Sequence, residues 1–532
     1  MRKSGVLMPI SSLSSPWGIG TMGACATEFL QFLHAAGQSV WQVLPVGPTS
    51  YGDSPYQSPS SFAGNPYLID LDILADQGLV DPELYQQMDW GDDPSQVDYG
   101  LMYRHRFKVL EVAVAELERV RPADLAAFCQ EQAWWLDDYA LFMALKREAG
   151  GAAWSQWPDE LRRRDARALA RARERLQAGV KLWRGIQFLF FEQWRALRAQ
   201  AHGLGIEILG DLPIYVAEDS ADIWANPQQF QLDENLQPVA RAGCPPDGFS
   251  ATGQLWGNPL FAWDRMEADG YAWWARRIGF QFELYDILRI DHFRGFESYF
   301  AIPVDALDAS CGHWCQGPGI AFFEAMRKQL GERAIIAEDL GFLTPSVAKM
   351  LADTGYPGMK VLEFAFDRRD QAGGRVYQPH NYPANCVAYV GTHDNDPAAG
   401  WFENADPRDV AFARDYLKLA QDEDQVWGMM RAIWASTANL AVVQAQDLLG
   451  LGSKARMNTP STTGGNWQYR TLTSDFNPRL AKRIYQLNEL FNRLPEESLQ
   501  KPVSKKRQKA AAKAAAKAAA GTKPMEKKEK KS

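Results

Sequence analysis

The stretch "LYDILRIDHF", residues 284–293, opens as an apolar run and closes on Arg289, Asp291 and His292. A buried charge is costly unless it is paired or hydrogen-bonded, so charges gathered at the end of a strand demand partners or a chemical task. Arg289 and Asp291 stand two residues apart, and alternation along a strand sets both side chains on one face. A cation that close favours the ionised form of the carboxylate.

The same pattern, an apolar run ending in polar or small residues, recurs seven more times. The runs are "GVLMPI" (5–10), "SVWQVLPV" (39–46), "GIEILGDLPIYV" (205–216), "AIIAEDLG" (334–341), "MKVLEF" (359–364), "CVAYVGTHDN" (386–395) and "AVVQAQDLLG" (441–450). Helical patterns such as "ACATEFLQFLHAAG" and "GIAFFEAMRKQLG" lie between several of them. Eight such runs suggest an α/β fold of the (β/α)₈ type, its centre filled by branched side chains. A doubly wound sheet is the competing architecture. No glycine-rich nucleotide fingerprint follows any run, so a nucleotide-binding role gains little support.

Spacing between the runs is uneven. Residues 81–200 are almost wholly helical in pattern, which predicts a helical insertion after the second strand. Residues 217–283 are rich in turns and predict an irregular insertion over the third and fourth strand ends. The barrel with both insertions would occupy residues 1–500, and loops at the carboxyl ends of strands are where such a barrel builds its cleft.

Composition narrows the function. No run of about 18 apolar residues is present, so no membrane span is expected, and the amino-terminal apolar stretch is too short for a secretory signal. Six sparse cysteines in a chain of 532 residues point to reduced thiols and a cytoplasmic setting. Cys311 and Cys315, flanking His313, form the one spacing that suggests a metal, with placement in a surface loop as the alternative. Many of the 19 Trp, 18 Tyr and 26 Phe sit beside Gly, Pro and Asn, as in "SPYQSPSSFAGNPY" and "FSATGQLWGNPLF". Rings in irregular segments mark a lined cleft, and sugar faces stack well on them.

The net charge of -8 argues against nucleic acid as the main partner. From Lys501 onward the chain carries 12 Lys/Arg against 2 Glu; removing that +10 leaves residues 1–500 at -18. This Lys/Ala-rich tail, 501–532, is expected to be a disordered, partly helical appendage, with a weak tether to an acidic surface or nucleic acid as the alternative.

Three acids end three of the runs: Asp291, Glu338 and Asp394. Facing one another at a barrel mouth, they would supply what glycosyl transfer needs, one ionised carboxylate to attack the anomeric carbon and one protonated acid for the leaving oxygen. Glu338 follows four apolar residues, a setting that raises a carboxyl's proton affinity toward the acid/base range; adjacent Asp339 has an equal claim. His292 and His393 neighbour carboxylates and can donate to sugar hydroxyls, although His292 also suits a plain strand-end role. Asp211 is read chiefly as a partner for Arg289 or a support for the rim, and secondarily as a substrate contact. No pair of histidines has zinc-hydrolase spacing, so no metal is expected.

"RIDHFRGF", "AEDLG" and "GTHDN", in that order, closely resemble the motifs of the 4-alpha-glucanotransferases of glycoside hydrolase family 77, the amylomaltases or disproportionating enzymes. The likeness spans most of residues 5–500 and includes "DSPYQSPSSFAGNPYLI", "GDLPIYVAEDSADIW", "GCPPDGFSATGQLWGNPLF" and "RMNTPSTTGGNWQYR". The resemblance implies retaining chemistry on a (β/α)₈ barrel without a cofactor, with α-1,4-glucans as substrates. It casts Asp291 as nucleophile, Glu338 as general acid/base and Asp394 as transition-state stabiliser. Arg289 resembles the arginine beside the nucleophile, and His393 and Asp211 match polar residues around the reacting sugar. Tyr56 and Trp256 are similar to aromatics shaping the subsites, and Asp247 resembles a residue of the loop that overhangs the cleft in that family. Asn458 and Trp467 match a rim segment. A monomer is favoured, an α-glucan hydrolase is the alternative activity, and the tail has no counterpart in the family.

Overall fold

The computed structural model describes residues 2–50, 52–246, 251–341, 343–368, 373–420, 423–462 and 464–496. Asp247 and the tail 501–532 lie outside them.

Each of the eight apolar runs overlaps a strand: β1 (Lys3–Leu7), β2 (Val40–Gln42), β3 (Glu207–Leu212), β4 (Ile287–Ile290), β5 (Ile335–Ala337), β6 (Gly358–Val361), β7 (Cys386–Tyr389) and β8 (Leu440–Gln444). They form one sheet in the order β6-β7-β8-β1-β2-β3-β4-β5, and every paired neighbour is parallel. The two ends meet. Ala337 N–H donates to Pro357 C=O at 2.9 Å, and Met359 N–H donates to the Asp339 carboxylate at 2.6 Å. The sheet thus closes into a barrel, which settles the competition with an open doubly wound sheet, since such a sheet keeps two free edges.

Alternation along the strands decides what fills the barrel. Leu7, Val40, Leu209, Ile336, Val361, Val387 and Val442 belong to one buried cluster of branched side chains, the interior. Their chain neighbours Val6, Trp41, Ile208, Ala337, Ala388 and Val443 pack instead into the larger cluster shared with the surrounding helices. Two residues further along each inward face the chemistry changes: Asp211 follows Leu209, Glu338 follows Ile336, Glu363 follows Val361 and Gln444 follows Val442. The inward face is therefore apolar at the amino end and polar at the carboxyl end, and strand period alone sets that division.

Helices cover the outside, among them Ala24–Ala35, Gln177–Gly203, Ala272–Leu284, Ile320–Leu330 and Pro478–Leu490. Their ends follow local rules. Pro345–Thr354 begins with Thr344 Oγ1 accepting from Val347 N–H and with Pro345 in the first turn, and stops at Gly355, whose φ of 71° is left-handed. Between β6 and β7 the described residues form only 3-10 turns, Leu362–Phe366, Gly374–Tyr377 and Pro379–Asn381.

The span 217–283 departs from the irregular structure expected of it. It contains strands Ala240–Cys244 and Gln254–Pro259, and the helix Ala272–Leu284 that leads into β4. With Ser298–Pro303 and His313–Gln316 the two strands make an antiparallel four-stranded sheet. Short strands and a register shift between Arg241 and Gly243 conceal the sheet from any period-two reading. Cys315 and His313 sit on its edge strand, not in a loop, and no cluster of three metal-ligating residues occurs among the described residues. No described helix is long and apolar enough to cross a membrane.

Candidate active site

The inward polar layer at the carboxyl end of the barrel gathers the residues singled out in the sequence. Arg289, 3% exposed, is its centre. Its Nη1 donates to both oxygens of Asp211 at 2.8 and 2.7 Å, and its Nη2 pairs with Asp291 Oδ1 at 2.9 Å. The Asp211 side chain is fully enclosed and also accepts from Tyr56 Oη at 2.8 Å. Asp211 is thus held away from solvent as the anchor of Arg289 and Tyr56.

Asp291 is the first residue beyond β4, and its side chain keeps 30% exposure toward the cleft. The chain then turns sharply: His292 is left-handed at φ 52°, ψ 49°. A non-glycine residue held there stores strain of about 1–3 kcal/mol. The turn aims the His292 N–H at Glu338 Oε2, 2.7 Å away, while Leu340 N–H donates to Glu338 Oε1, also at 2.7 Å. The ends of β4 and β5 are therefore tied together through the Glu338 carboxyl group. Asp339, one residue on and of opposite parity, bonds Met359 N–H outside this layer. Geometry separates two acids that the sequence could not.

Both cleft acids hold their protons unusually tightly. Burial, then repulsion from Asp291, lifts Glu338 from the ordinary 4.5 to about 7, against the pull of Arg289 and the two N–H donors. Burial lifts Asp291 to about 6 even though Arg289 pulls the other way. The sequence suggested that Arg289 would favour the charged Asp291; its pull exists, but the guanidinium is shared with Asp211, so only part of it reaches Asp291. Burial and the neighbouring Arg294 push His292 down to about 3, leaving a neutral imidazole whose buried Nε2 has no protein partner. Burial opposes the charge on Arg289, but Asp211 and Asp291 outweigh that and hold it firmly protonated.

Asp394 enters from the turn after β7. Its Oδ1 accepts from Asn458 Nδ2 at 2.6 Å, its Oδ2 lies 3.4 Å from His393 Nε2, and its carbonyl accepts from Arg456 Nη2 at 2.6 Å. Its charge is felt at Asp291, so the two share the mouth of the barrel. Asn458 N–H also donates to His393 C=O at 3.1 Å. Sequence reading passed over Arg456, although it stands two residues before Asn458 in a segment already singled out.

Aromatic rings line the walls. Tyr56 stacks on His393 with centroids 5.2 Å apart, and Trp467 leans on both at 5.8 and 6.0 Å. Trp256 meets the edge of His292 at 4.8 Å from the facing side. All the predicted site residues within the described chain thus lie around one mouth.

A closed parallel barrel carrying two proton-holding acids beside an ion-paired arginine at its carboxyl end has the architecture of a (β/α)₈ enzyme. Comparison with known proteins sharpens the class. The family model described as 4-alpha-glucanotransferase matches residues 8–474. The 4-alpha-glucanotransferase of Thermus thermophilus is 47% identical over 504 residues, covering 93% of this chain and 99% of the relative, and that of Clostridium butyricum is 44% identical over 488 residues, covering 91% and 100%. The solved amylomaltase of Streptococcus agalactiae in complex with acarbose superposes with a TM-score of 0.91 at 41% identity, covering 93% of this chain and all of that one. The chain belongs to the 4-alpha-glucanotransferases of glycoside hydrolase family 77, and its activity is the transfer of α-1,4-glucan segments.

Proposed function

We propose that Asp291, Glu338 and Asp394 carry out this transfer by two successive displacements. Asp291 attacks C1 of a glucosyl unit while Glu338 protonates the departing 4-oxygen, leaving a β-linked glucosyl-aspartate and a free glucan or glucose. Glu338, now a carboxylate, takes the proton from the 4-hydroxyl of an incoming glucan. That oxygen displaces Asp291 and re-forms an α-1,4 bond with net retention. Asp394, fixed by Asn458, binds sugar hydroxyls and steadies the positive charge that develops at C1.

The observation that carries this assignment is the Glu338 carboxyl group bonded to the N–H of the residue next to Asp291. Retaining chemistry needs the two carboxyls about 5–5.5 Å apart, against roughly 6.5–9.5 Å when a water must fit between them. The raised proton affinity of the acid pair supports the roles, since burial keeps one proton available to Glu338 near neutrality. Arg289, Asp211 and Tyr56 fix the nucleophile, while His292 and His393 donate to the sugar. Trp256 covers the intermediate from the facing wall.

Transfer must beat hydrolysis. Water at about 55 M competes with a millimolar acceptor, a ratio of about 10⁴–10⁵, so acceptor binding and water exclusion supply roughly 6 kcal/mol. The ringed walls of the cleft are the source of that energy. Incubation with maltotriose tests the reading. Glucose plus a ladder of longer maltooligosaccharides, with reducing ends constant in number, is the expected result. A steady rise in reducing ends would instead describe an α-glucan hydrolase.

A further inference from the structure

The segment that follows β8 reaches the cleft beside Asp394, and its side chains part in two directions. Ala455 and Met457 join the buried cluster that holds Leu44, Trp467 and Tyr469. Arg456 and Asn458, at the alternate positions, turn instead to the Asp394 residue. Asn458 bonds its carboxylate. Arg456 works on the backbone: Nη2 donates to the Asp394 C=O at 2.6 Å and Nε to the Asn458 C=O at 2.9 Å.

Nε and Nη2 share one edge of the planar guanidinium, so a single rigid fork ties together two segments 62 residues apart. Both peptide groups that flank the Asp394 Cα are thereby held from residues 456–458. The carbonyl of the 393–394 peptide accepts from Asn458 N–H at 3.1 Å. The carbonyl of the 394–395 peptide is the one held by Arg456, and the N–H of that same peptide donates to Thr392 C=O at 3.1 Å. Peptide groups are planar, so fixing the two planes fixes φ and ψ at Asp394. Those angles set the direction in which its side chain leaves the backbone. By holding the Asn458 carbonyl as well, Arg456 steadies the residue that grips the carboxylate.

We propose that Arg456 is a positioning residue for Asp394, its two-carbonyl fork setting the direction of the Asp394 side chain in the cleft. The inference rests on the role given to Asp394 above. Arg456 acts through main-chain carbonyls, so the flat geometry of its donors is what the site needs from it. A lysine ammonium carries the same charge at a point and has no rigid pair of N–H groups to match two carbonyls. Asp394 works on charge that develops at C1 in the transition state. Loss of its aim therefore lowers kcat and leaves the binding of the ground state nearly intact.

The test compares Arg456→Ala and Arg456→Lys in the full chain, with maltotriose as substrate and each variant assayed well below its melting temperature. Arg456→Ala should lose about 10-fold or more in kcat with KM changed less than about twofold. Arg456→Lys should still lose at least about fivefold, because the fork is gone although the charge remains. Parental kcat in either variant, or a loss that falls on KM, would overturn the proposal. Should Arg456→Ala fail to fold, Arg456→Lys decides the matter by the same two readings. A double variant adds a second check. Arg456 and Asn458 act through one residue, so Arg456→Ala with Asn458→Ala should lose clearly less than the product of the single losses. A loss equal to the product would mean that the two act independently and would refute the proposal. Asp394→Asn is run alongside. If it keeps full activity, the role of Asp394 itself is wrong, an outcome recognisable whatever Arg456 does.

Discussion

Replacing Arg289 with methionine removes the cation on which the polar layer is centred and keeps most of the side-chain volume. Three ionic contacts disappear, two to Asp211 and one to Asp291. The Asp211 carboxylate, fully enclosed, would be left with only the Tyr56 hydroxyl. Stranding one member of a buried ion pair costs about 3–5 kcal/mol. For Asp211 the upper half of that range applies, because no water reaches it. Urea unfolding should place Arg289→Met about 4 kcal/mol below the parent at pH 7. Adding Asp211→Asn, which removes the stranded charge, should restore at least about 2 kcal/mol. Activity should not return, because Asp291 still lacks its cation and holds its proton more tightly than before. If Arg289→Met alone unfolds like the parent, or Asp211→Asn restores nothing, the buried pair is not what organises the layer.

The remaining expectations concern the acids themselves. The kcat/KM profile should be bell-shaped and narrow, rising as the acid pair loses its first proton near pH 6 and falling as it loses the second near 7; limbs near 4 and 9 would contradict the coupling. Asp291→Asn should lower kcat by several orders of magnitude while leaving the protein as stable as the parent at pH 8, or more stable by about 1 kcal/mol. The sign follows from the raised proton affinity: the stabilisation from a protonated Asp291 is complete below about pH 4 and lost as pH climbs past 6, so at pH 8 the parent carries a partly buried charge that asparagine does not. A melting curve at each pH checks this, and clear destabilisation of the variant at pH 8 would refute it. Asn458→Ala removes the 2.6 Å bond to Asp394 and should reduce kcat about 10-fold or more with little change in KM, read from initial rates on maltotriose.

The barrel was legible because its strands are short apolar runs that finish in charge, a pattern that only a polar upper layer over a branched core explains. The carboxylates were legible for the same reason. The choice between Glu338 and Asp339 was not, since adjacent residues face opposite ways and the parity of a three-residue strand cannot be read without its neighbours. Ile336 in the interior sets Glu338 on the inward face and Asp339 on the other. The antiparallel sheet beside the cleft escaped because its strands are four to six residues long and interrupted by glycine and proline. Arg456 escaped because it works through hydrogen bonds to a turn made by other residues, and no local spacing records that. The rise in proton affinity at Asp291 could not be foreseen, because it comes from burial in the folded cleft, which the pull of Arg289 does not offset.

The central claim is a covalent bond between sugar and Asp291, and Glu338→Gln offered α-maltotriosyl fluoride tests it most directly. Fluoride departs without an acid, but the second displacement lacks its base, so the glycosylated enzyme should accumulate. Intact mass should rise by one maltotriosyl group, and peptide mapping should find it on the segment containing Asp291. Fluoride release with no adduct, or an adduct on another residue, would contradict the account.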